Sequence, residues 1–92
     1  MGTNDPNAMA ERVQLYPNPA TSAVNLTLDL GVQEETTVQL LDVQGRLVNT
    51  YKLSGRPGTY KLELGSISEG QYMLVVKSGN IRVVKRFTKV NP

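Results

Sequence analysis

Apolar and polar residues alternate with a period of two through most of this 92-residue chain. The segment "AVNLTLDL", residues 23–30, places Val24, Leu26, Leu28 and Leu30 on one side and mostly polar residues on the other. This period differs from the 3.6 residues of an amphipathic helix and predicts a half-buried strand. The same rhythm recurs along the chain. The predicted strands are residues 12–16, 23–30, 36–43, 46–53, 59–64, 71–78 and 81–88.

Turn signals separate these runs at intervals of about 8 to 12 residues. The tetrapeptide "DVQG" at residues 42–45 fits a type I turn that ends in glycine, and Gly79-Asn80 fits a two-residue hairpin. No segment has a helical pattern. The sequence therefore predicts an all-β fold, an immunoglobulin-like antiparallel β-sandwich of about seven strands. The chain has no cysteine and no tryptophan, which excludes the disulfide core of antibody domains.

The length of the chain favours one domain. We predict that residues 12–90 form the sandwich, that residues 1–11 are a flexible linker or an expression-vector tail, and that residues 91–92 are a C-terminal overhang. The N-terminal stretch lacks the apolar core of a signal peptide. No apolar stretch approaches the ~20 residues of a membrane helix. An export signal, if the natural protein is exported, is expected upstream of these residues.

The composition argues against an enzyme. The chain has no histidine and no cysteine, so the commonest general base and the thiol nucleophile are both missing. Glu34 and Glu35 are adjacent in a loop, where we expect two solvated, ordinary carboxylates. Asn18, Asp29 and Asp42 carry oxygen ligands without EF-hand spacing, and a structural cation there stays open. We predict no catalysis, no cofactor and no metal site.

Basic residues concentrate at the C-terminal end. Residues 77–92 hold five basic residues and no acidic one, whereas residues 1–76 hold five basic and all eight acidic residues. This asymmetry fits either an edge strand that its cations protect from aggregation or a basic segment that binds a partner. Because the basic strand has no aromatic residue besides Phe87 and the net charge is only +2, nucleic acid is not a predicted partner.

The stretch "YPNP", residues 16–19, follows the first predicted strand. Pro17 and Pro19 each fix φ near −65° and lack an N–H donor, and each pushes the preceding residue toward extended geometry. The stretch is therefore a stiff bridge that cannot be a central strand. We expect it to end the first strand and to cross to the other sheet, with the Tyr16 ring over the end of the core.

Four short boxes follow one another along the chain: "YPNP", "DVQGR", "GQYML" and "KRFTKV". In type, order and spacing they resemble the boxes of the C-terminal sorting domain of type IX secretion cargo, the Por secretion tail family. The resemblance covers about residues 13–90. It implies an immunoglobulin-like sandwich that serves as a non-catalytic signal at the C-terminus of a larger exported protein.

The family resemblance also implies partners and a route. An upstream cargo domain in the same chain would reach the periplasm by a separate N-terminal signal, and the outer-membrane type IX translocon and its shuttle protein would then recognise the sorting domain. A surface sortase usually cleaves near the start of such a domain, here in or before residues 4–12, and attaches the cargo to lipopolysaccharide. The expected location is the periplasm in transit, then the cell surface or the medium.

We predict that the final strand lies at a sheet edge and is read by β-augmentation. The predicted recognition residues are Lys85, Arg86, Phe87, Lys89 and Val90. The other boxes are expected to be structural, through Tyr16, Pro17, Asn18, Pro19, Asp42, Gly45, Arg46, Gly70 and Tyr72. An exposed edge also allows an edge-strand dimer.

The alternative function is that of a carbohydrate-binding or fibronectin-like accessory module of a secreted enzyme. Such a module needs exposed coplanar aromatic rings as a platform for sugars. Tyr60 and Tyr72 fall on the inward side of the alternation, which argues against this function.

Overall fold

The computed structural model describes residues 11–31 and 34–91. Within them the chain forms seven strands, each bounded within two residues of its predicted limits. The strands are β1 (Val13–Tyr16), β2 (Ala23–Leu28), β3 (Thr36–Asp42), β4 (Leu47–Leu53), β5 (Gly58–Glu63), β6 (Gly70–Ser78) and β7 (Ile81–Lys89). No helix long and apolar enough to cross a membrane occurs in the part of the chain that the structure describes.

The strands form two antiparallel sheets that pack face to face. One sheet has the order β1-β2-β5 and the other has the order β4-β3-β6-β7. The predicted all-β sandwich is therefore confirmed. In the four-stranded sheet, β4 and β7 are the two edges, so the final strand does lie at an edge as the sequence predicted.

The core lies between the sheets and consists of alternate residues of each strand. Leu26 of β2, Leu40 of β3 and Leu74 of β6 are each 0% exposed. Burying a side chain of this size stabilises a fold by roughly 1.5–3 kcal/mol. At one end of the core Phe87 of β7 stacks on Tyr72 of β6, with ring centroids 5.8 Å apart. The period of two is thus the direct cause of the two-layer architecture.

Tyrosine hydroxyls fasten the sandwich at two places. The Tyr72 hydroxyl donates to the carbonyl oxygen of Ser68 at 2.6 Å, which is the backward bond of the tyrosine corner in immunoglobulin-like folds. The Tyr51 hydroxyl of β4 donates to the carbonyl oxygen of Glu63 in β5 at 2.6 Å and so links the two sheets. Burial raises the pKa of the Tyr51 hydroxyl.

The connection after β1 differs from the prediction. β1 and β2 are neighbours in the same sheet, so "YPNP" does not carry the chain across the sandwich. Instead Ala20 forms one parallel bridge with Lys89 of β7, after which the chain returns to its own sheet. Unpaired backbone groups at the end of β7 explain the detour, because buried donors and acceptors need partners. Both X–Pro bonds of the segment are cis. The Tyr16 side chain is 47% exposed and does not cover the core as expected.

The opposite end of the sandwich is tightly packed around Gly55. Its φ is +87°, and a Cβ atom there would lie 1.8 Å from the carbonyl oxygen of Glu34. The Thr36 hydroxyl donates to the same oxygen at 3.0 Å, so this carbonyl has little freedom to move. Gly55 is therefore fixed by the packing of two chain segments as well as by its own backbone angles.

Candidate recognition site at one end of the sandwich

The four sequence boxes meet at one end of the sandwich. The first and last boxes are joined at Thr88, 70 residues from Asn18. The Asn18 Oδ1 accepts the Thr88 N–H at 3.0 Å. The Ala20 N–H donates to the Thr88 carbonyl, and the Val90 N–H donates to the Ala20 carbonyl, each at 2.8 Å. The segment after β1 thus holds the C-terminal end of β7 in place.

The third box joins the same end. Gly70 begins β6 and pairs with Lys89, and Tyr72 pairs with Phe87. The second box reaches the third through the pairing of Asp42 with Tyr72. Residues far apart in the sequence therefore form one continuous cluster, which the spacing of the boxes alone did not show.

The second box is a turn that satisfies its own polar groups. The Asp42 carboxylate accepts the backbone N–H groups of Gln44 at 2.9 Å and Arg46 at 3.0 Å. It also accepts the Arg46 Nε–H at 2.9 Å. The pKa of Asp42 lies below its ordinary 3.8. The largest cause is the hydrogen bond from the Arg46 backbone N–H, and the hydrogen bond from the Arg46 side chain lowers the pKa further. The bonded turn presents Val43, which is 70% exposed.

In the part of the chain that the structure describes, the backbone of β7 has no strand partner along part of its outer edge. In an antiparallel pair the N–H and C=O of one residue point to one side and those of the next residue point to the other. Thr88 directs both groups away from β6, because both bond to the segment after β1. By the same alternation Arg82, Val84 and Arg86 direct theirs to the open side. These three residues are called the free edge below.

The five predicted recognition residues lie in different environments. Arg86 is exposed, whereas Phe87 at 2% exposure and Lys89 at 4% point into the sandwich. Lys85 and Val90 are partly buried, and the Lys89 ammonium donates to the Val90 carbonyl at 3.3 Å. Their recognition role stays a prediction, but Arg86 alone among the five offers a fully exposed side chain.

Sequence reasoning missed Arg82 and Val84 as candidate recognition residues. Both are exposed on the same side of β7 as Arg86. The signal was present, because Val83 and Phe87 are two of the buried residues of the strand and the alternation places even-numbered residues outward. The missing step was to separate Val84, an exposed residue, from the apolar residues that build the core.

A depression of about 280 Å³ adjoins the free edge. It lies between the exposed Val43 of the second box and the side chain of Arg86, with Tyr72 and Met73 among its lining residues. In residues 11–31 and 34–91 no group of three or more acidic side chains is arranged to hold a metal ion. The depression itself is lined mainly by apolar residues and by the cationic Arg86, whereas the carboxylates of Asp42 and Glu69 lie beside it at the same end.

Comparison with known proteins bears on the fold and the family. A solved structure described as "Biofilm associated protein - BSP domain" is similar, with a TM-score of 0.67 and 20% sequence identity. The likeness covers 87% of this chain and 14% of that chain, and at this identity it shows the fold alone. No curated protein matches the sequence.

The family model described as "Secretion system C-terminal sorting domain" matches residues 14–90. That range contains all four boxes and the free edge. Domains of this family are generally non-catalytic signals that imply an upstream cargo and the type IX secretion machinery. The chain belongs to this family, and it is a type IX sorting domain of a secreted protein that ends at the cell surface or outside the cell.

Proposed function

We propose that the domain directs an upstream cargo across the outer membrane by pairing its free edge with a strand of the type IX machinery. The observation that carries the proposal concerns the backbone groups of Arg82, Val84 and Arg86, which point to the outer edge of β7 and pair with no other residue within 11–31 and 34–91. Main-chain hydrogen bonds supply affinity in β-augmentation, and alternate side chains supply selectivity.

The length of the free edge is limited at its C-terminal end. Beyond Arg86 the next outward-facing residue, Thr88, is already bonded to Asn18 and Ala20. A partner strand therefore pairs with residues 82–86 and then meets the first box. The register of the partner is set by this stop, so the first and last boxes act together although 70 residues separate Asn18 from Thr88.

Within this proposal the buried residues of the last box act through the fold. Phe87 anchors β7 to the core by its stack on Tyr72. Lys89 is buried beside the backbone that the first box holds. Arg86 is the member of the box that contacts a partner directly. Losing Phe87 would impair recognition by loosening the strand, whereas losing Arg86 would impair it without loosening the strand.

The route of the cargo is proposed from family membership. The cargo enters the periplasm by its own N-terminal signal, and the shuttle protein and outer-membrane translocon then bind the sorting domain. A surface sortase removes the domain in or before residues 4–12, most of which lie outside the described residues. Sortase attachment to lipopolysaccharide then fixes the cargo at the surface.

An edge-strand dimer stays a prediction, and the charge of β7 argues against it. Antiparallel pairing of two copies centred on Val84 would place Arg82 of one copy opposite Arg86 of the other. Like charges directly opposite each other destabilise a strand pair. Lys85 also points toward the sandwich interior, and an inward-pointing cation on an edge strand disfavours self-pairing.

Nothing in the described tyrosines favours the sugar-binding alternative. Tyr72 is 7% exposed, and Tyr60 is partly buried with its hydroxyl bonded to the Arg56 carbonyl at 2.7 Å. Tyr51 spans the two sheets. Tyr16 is exposed, but one ring does not make a platform of coplanar rings.

The test is export of a periplasmic reporter fused to residues 10–92 in a host that has the translocon. We expect Val84→Pro to abolish export, because proline removes an outward N–H and adds a ring on the free edge. Proline is tolerated at such outward positions of edge strands, so the fold is expected to persist. Circular dichroism and the urea midpoint of the purified variant check this.

The matched control is Thr50→Pro on the other edge of the same sheet. The Thr50 N–H also points outward, because it donates to Asn49 Oδ1 at 2.8 Å. Export by this variant should match the unaltered domain. Equal loss in both variants, or normal export by a folded Val84→Pro variant, contradicts docking at β7. Deleting residues 81–92 is less informative, because it also removes Val83 and Phe87 from the core.

A further inference from the structure

The outer surface of the four-stranded sheet carries an ordered arrangement of charge. The register places Thr37 beside Lys52 on one side and beside Lys77 on the other, and Lys77 beside Arg82. This first row therefore holds three cations. The second row is Gln39, Val75 and Val84, and the third is Leu41, Met73 and Arg86. These ten residues are called the basic face.

None of the ten residues of the basic face is acidic. Lys52, Lys77, Arg82 and Arg86 are all exposed. Among the described residues the ion pairs are Arg46 with Asp42 and Lys61 with Glu63, and neither includes a residue of this face. Four cations thus share one surface in a protein whose net charge is +2.

The pairing of Lys77 with Arg82 lowers the stability of the sheet. The two residues are direct cross-strand neighbours, and like charges in that position are destabilising by roughly 0.2–1 kcal/mol. Among the described residues no carboxylate forms an ion pair with either side chain, and the Glu34 carboxylate lies beside Gly79 in the turn between the two strands. A carboxylate bound from outside would relieve it, which makes the face complementary to an acidic partner.

The middle of the face is apolar and recessed. Val75 points outward but is only 2% exposed, and Met73 and Leu41 are partly buried. Beside them the depression of about 280 Å³ extends from Val43 to Arg86. Among the ten residues of the face, Val84 is the apolar residue that protrudes, with 39% exposure, whereas a surface that inserts into a membrane needs several protruding apolar side chains. A recessed centre between cations instead receives an apolar side chain that a partner projects.

From these observations we infer that the basic face docks an acidic protein surface, one that places carboxylates on Lys77, Arg82 and Arg86 and an apolar side chain in the depression. The outer surface of the three-stranded sheet of a second copy is a poor match, because Glu63, the acidic residue on its described strands, already faces Lys61 at 3.4 Å. The inference rests on the proposed function, because it assigns this surface to a component of the export machinery. It adds that this component presents carboxylates and an apolar side chain.

The first experiment titrates the ¹⁵N-labelled 92-residue chain with a synthetic peptide of alternating glutamate and leucine. We expect amide shifts on the basic face, and binding that weakens with added salt. The Lys77→Gln/Arg82→Gln double variant should bind about tenfold more weakly. Lys61→Gln on the opposite sheet is the matched control, since that side chain is 67% exposed, and its affinity should stay unchanged.

Three results would overturn the inference. These are absence of binding by the glutamate peptide, equal binding of a peptide of alternating lysine and leucine, and equal weakening by the Lys61 control. Vesicles that contain phosphatidylglycerol form the membrane arm. If the glutamate peptide gave no amide shifts and the domain bound such vesicles through Lys77 and Arg82, the face would be assigned to an anionic lipid surface. A protein partner would then be rejected.

The reporter assay separates this inference from the proposed function. If the unaltered domain exports the reporter and the Lys77→Gln/Arg82→Gln variant does not, both stand. If the double variant exports normally, the inference fails while the proposed function survives. If the unaltered domain leaves the reporter in the periplasm, the proposed function fails, and the peptide titration still decides whether the face binds acidic protein.

Discussion

The outer surfaces of the two sheets both consist of the outward-facing alternate residues of their strands, but they differ in whether charged side chains have an ion-pair partner. On the three-stranded sheet the Thr27 and Thr59 hydroxyls lie 3.2 Å apart across two strands, and Lys61 faces Glu63 at 3.4 Å. On the four-stranded sheet Lys77 lies directly beside Arg82, and among the described residues no carboxylate forms an ion pair with either of them. One surface neutralises its own polar groups, and the other leaves a repulsion in place.

This difference identifies the surface that selection for stability alone does not explain. Stabilising surface substitutions are easy to find, and residues that lower stability persist where function requires them. Three of the four boxes belong to the sheet with the basic face, since Asp42, Gly70 and Phe87 all lie on its strands, and the first box begins at the end of β1 of the smaller sheet.

The largest expected effect comes from a substitution that disrupts the packing between the two sheets, because both outer surfaces depend on it. We expect Gly55→Ala to lower the free energy of unfolding by roughly 3–5 kcal/mol, since it combines an unfavourable φ with a clash against the Glu34 backbone. Urea unfolding followed by circular dichroism measures the change. In NMR spectra, the dispersion of amide chemical shifts should then decrease for residues of both sheets together.

Gly45→Ala is the matched control for that substitution. Gly45 has a φ of +82° and Gly55 has +87°, but a Cβ at Gly45 would meet no atom within 4 Å. The control should therefore cost only about 1–2 kcal/mol. If both variants lost the same stability, backbone angle alone would explain Gly55, and the contact with Glu34 would carry no weight.

The architecture was predictable because it depends on local chemistry. The period of two specified which residues of β2 face inward, and turn residues such as Gly79 and Asn80 specified where strands end, so the seven strands agree closely with expectation. The path after β1 was not predictable. It depends on a hydrogen bond between Asn18 and Thr88, 70 residues apart, and no local pattern encodes such a contact.

The candidate site was predictable only in outline. The sequence located the basic final strand and its position at an edge, but it grouped Phe87 and Lys89 with Arg86 as recognition residues. Burial separates them, because Phe87 and Lys89 belong to the inward side of β7. The cationic row that joins Lys52, Lys77 and Arg82 requires the order and register of four strands, which one sequence does not supply.

A smaller effect, confined to the basic side, follows from the pKa of Asp42. Because hydrogen bonds from Arg46 lower this pKa in the folded state, the carboxylate stabilises the turn at pH values above its ordinary pKa of 3.8. That contribution is lost as the pH falls below 3.8 through the folded-state value. NMR should show the amide signals of Gln44 and Arg46 moving toward those of a loosened turn in that range.

The variant Asp42→Asn isolates this contribution. Its turn should show no acid transition and should be looser at neutral pH, since the ion pair with Arg46 is gone. Asp29→Asn is the control, because the Asp29 carboxylate makes no hydrogen bond to another described residue and Asp29 is an exposed residue that directly follows β2. An acid transition at Gln44 that persists in the Asp42→Asn variant would assign it to another group.

The smallest predicted effect comes from a substitution that should raise stability while it weakens binding. Lys77→Glu replaces a repulsion with an attraction to Arg82, so it should stabilise the domain by roughly 0.5 kcal/mol while weakening the binding of acidic peptides and export. Lys61→Glu on the other sheet should do the reverse for stability, because it sets a second carboxylate beside Glu63, and should leave peptide binding and export unchanged. Urea midpoints at low and high salt measure both changes, which should shrink as salt screens them. If Lys77→Glu destabilised the fold, Lys77 would contribute to the sheet itself, and the contrast between the two surfaces would no longer point to a partner.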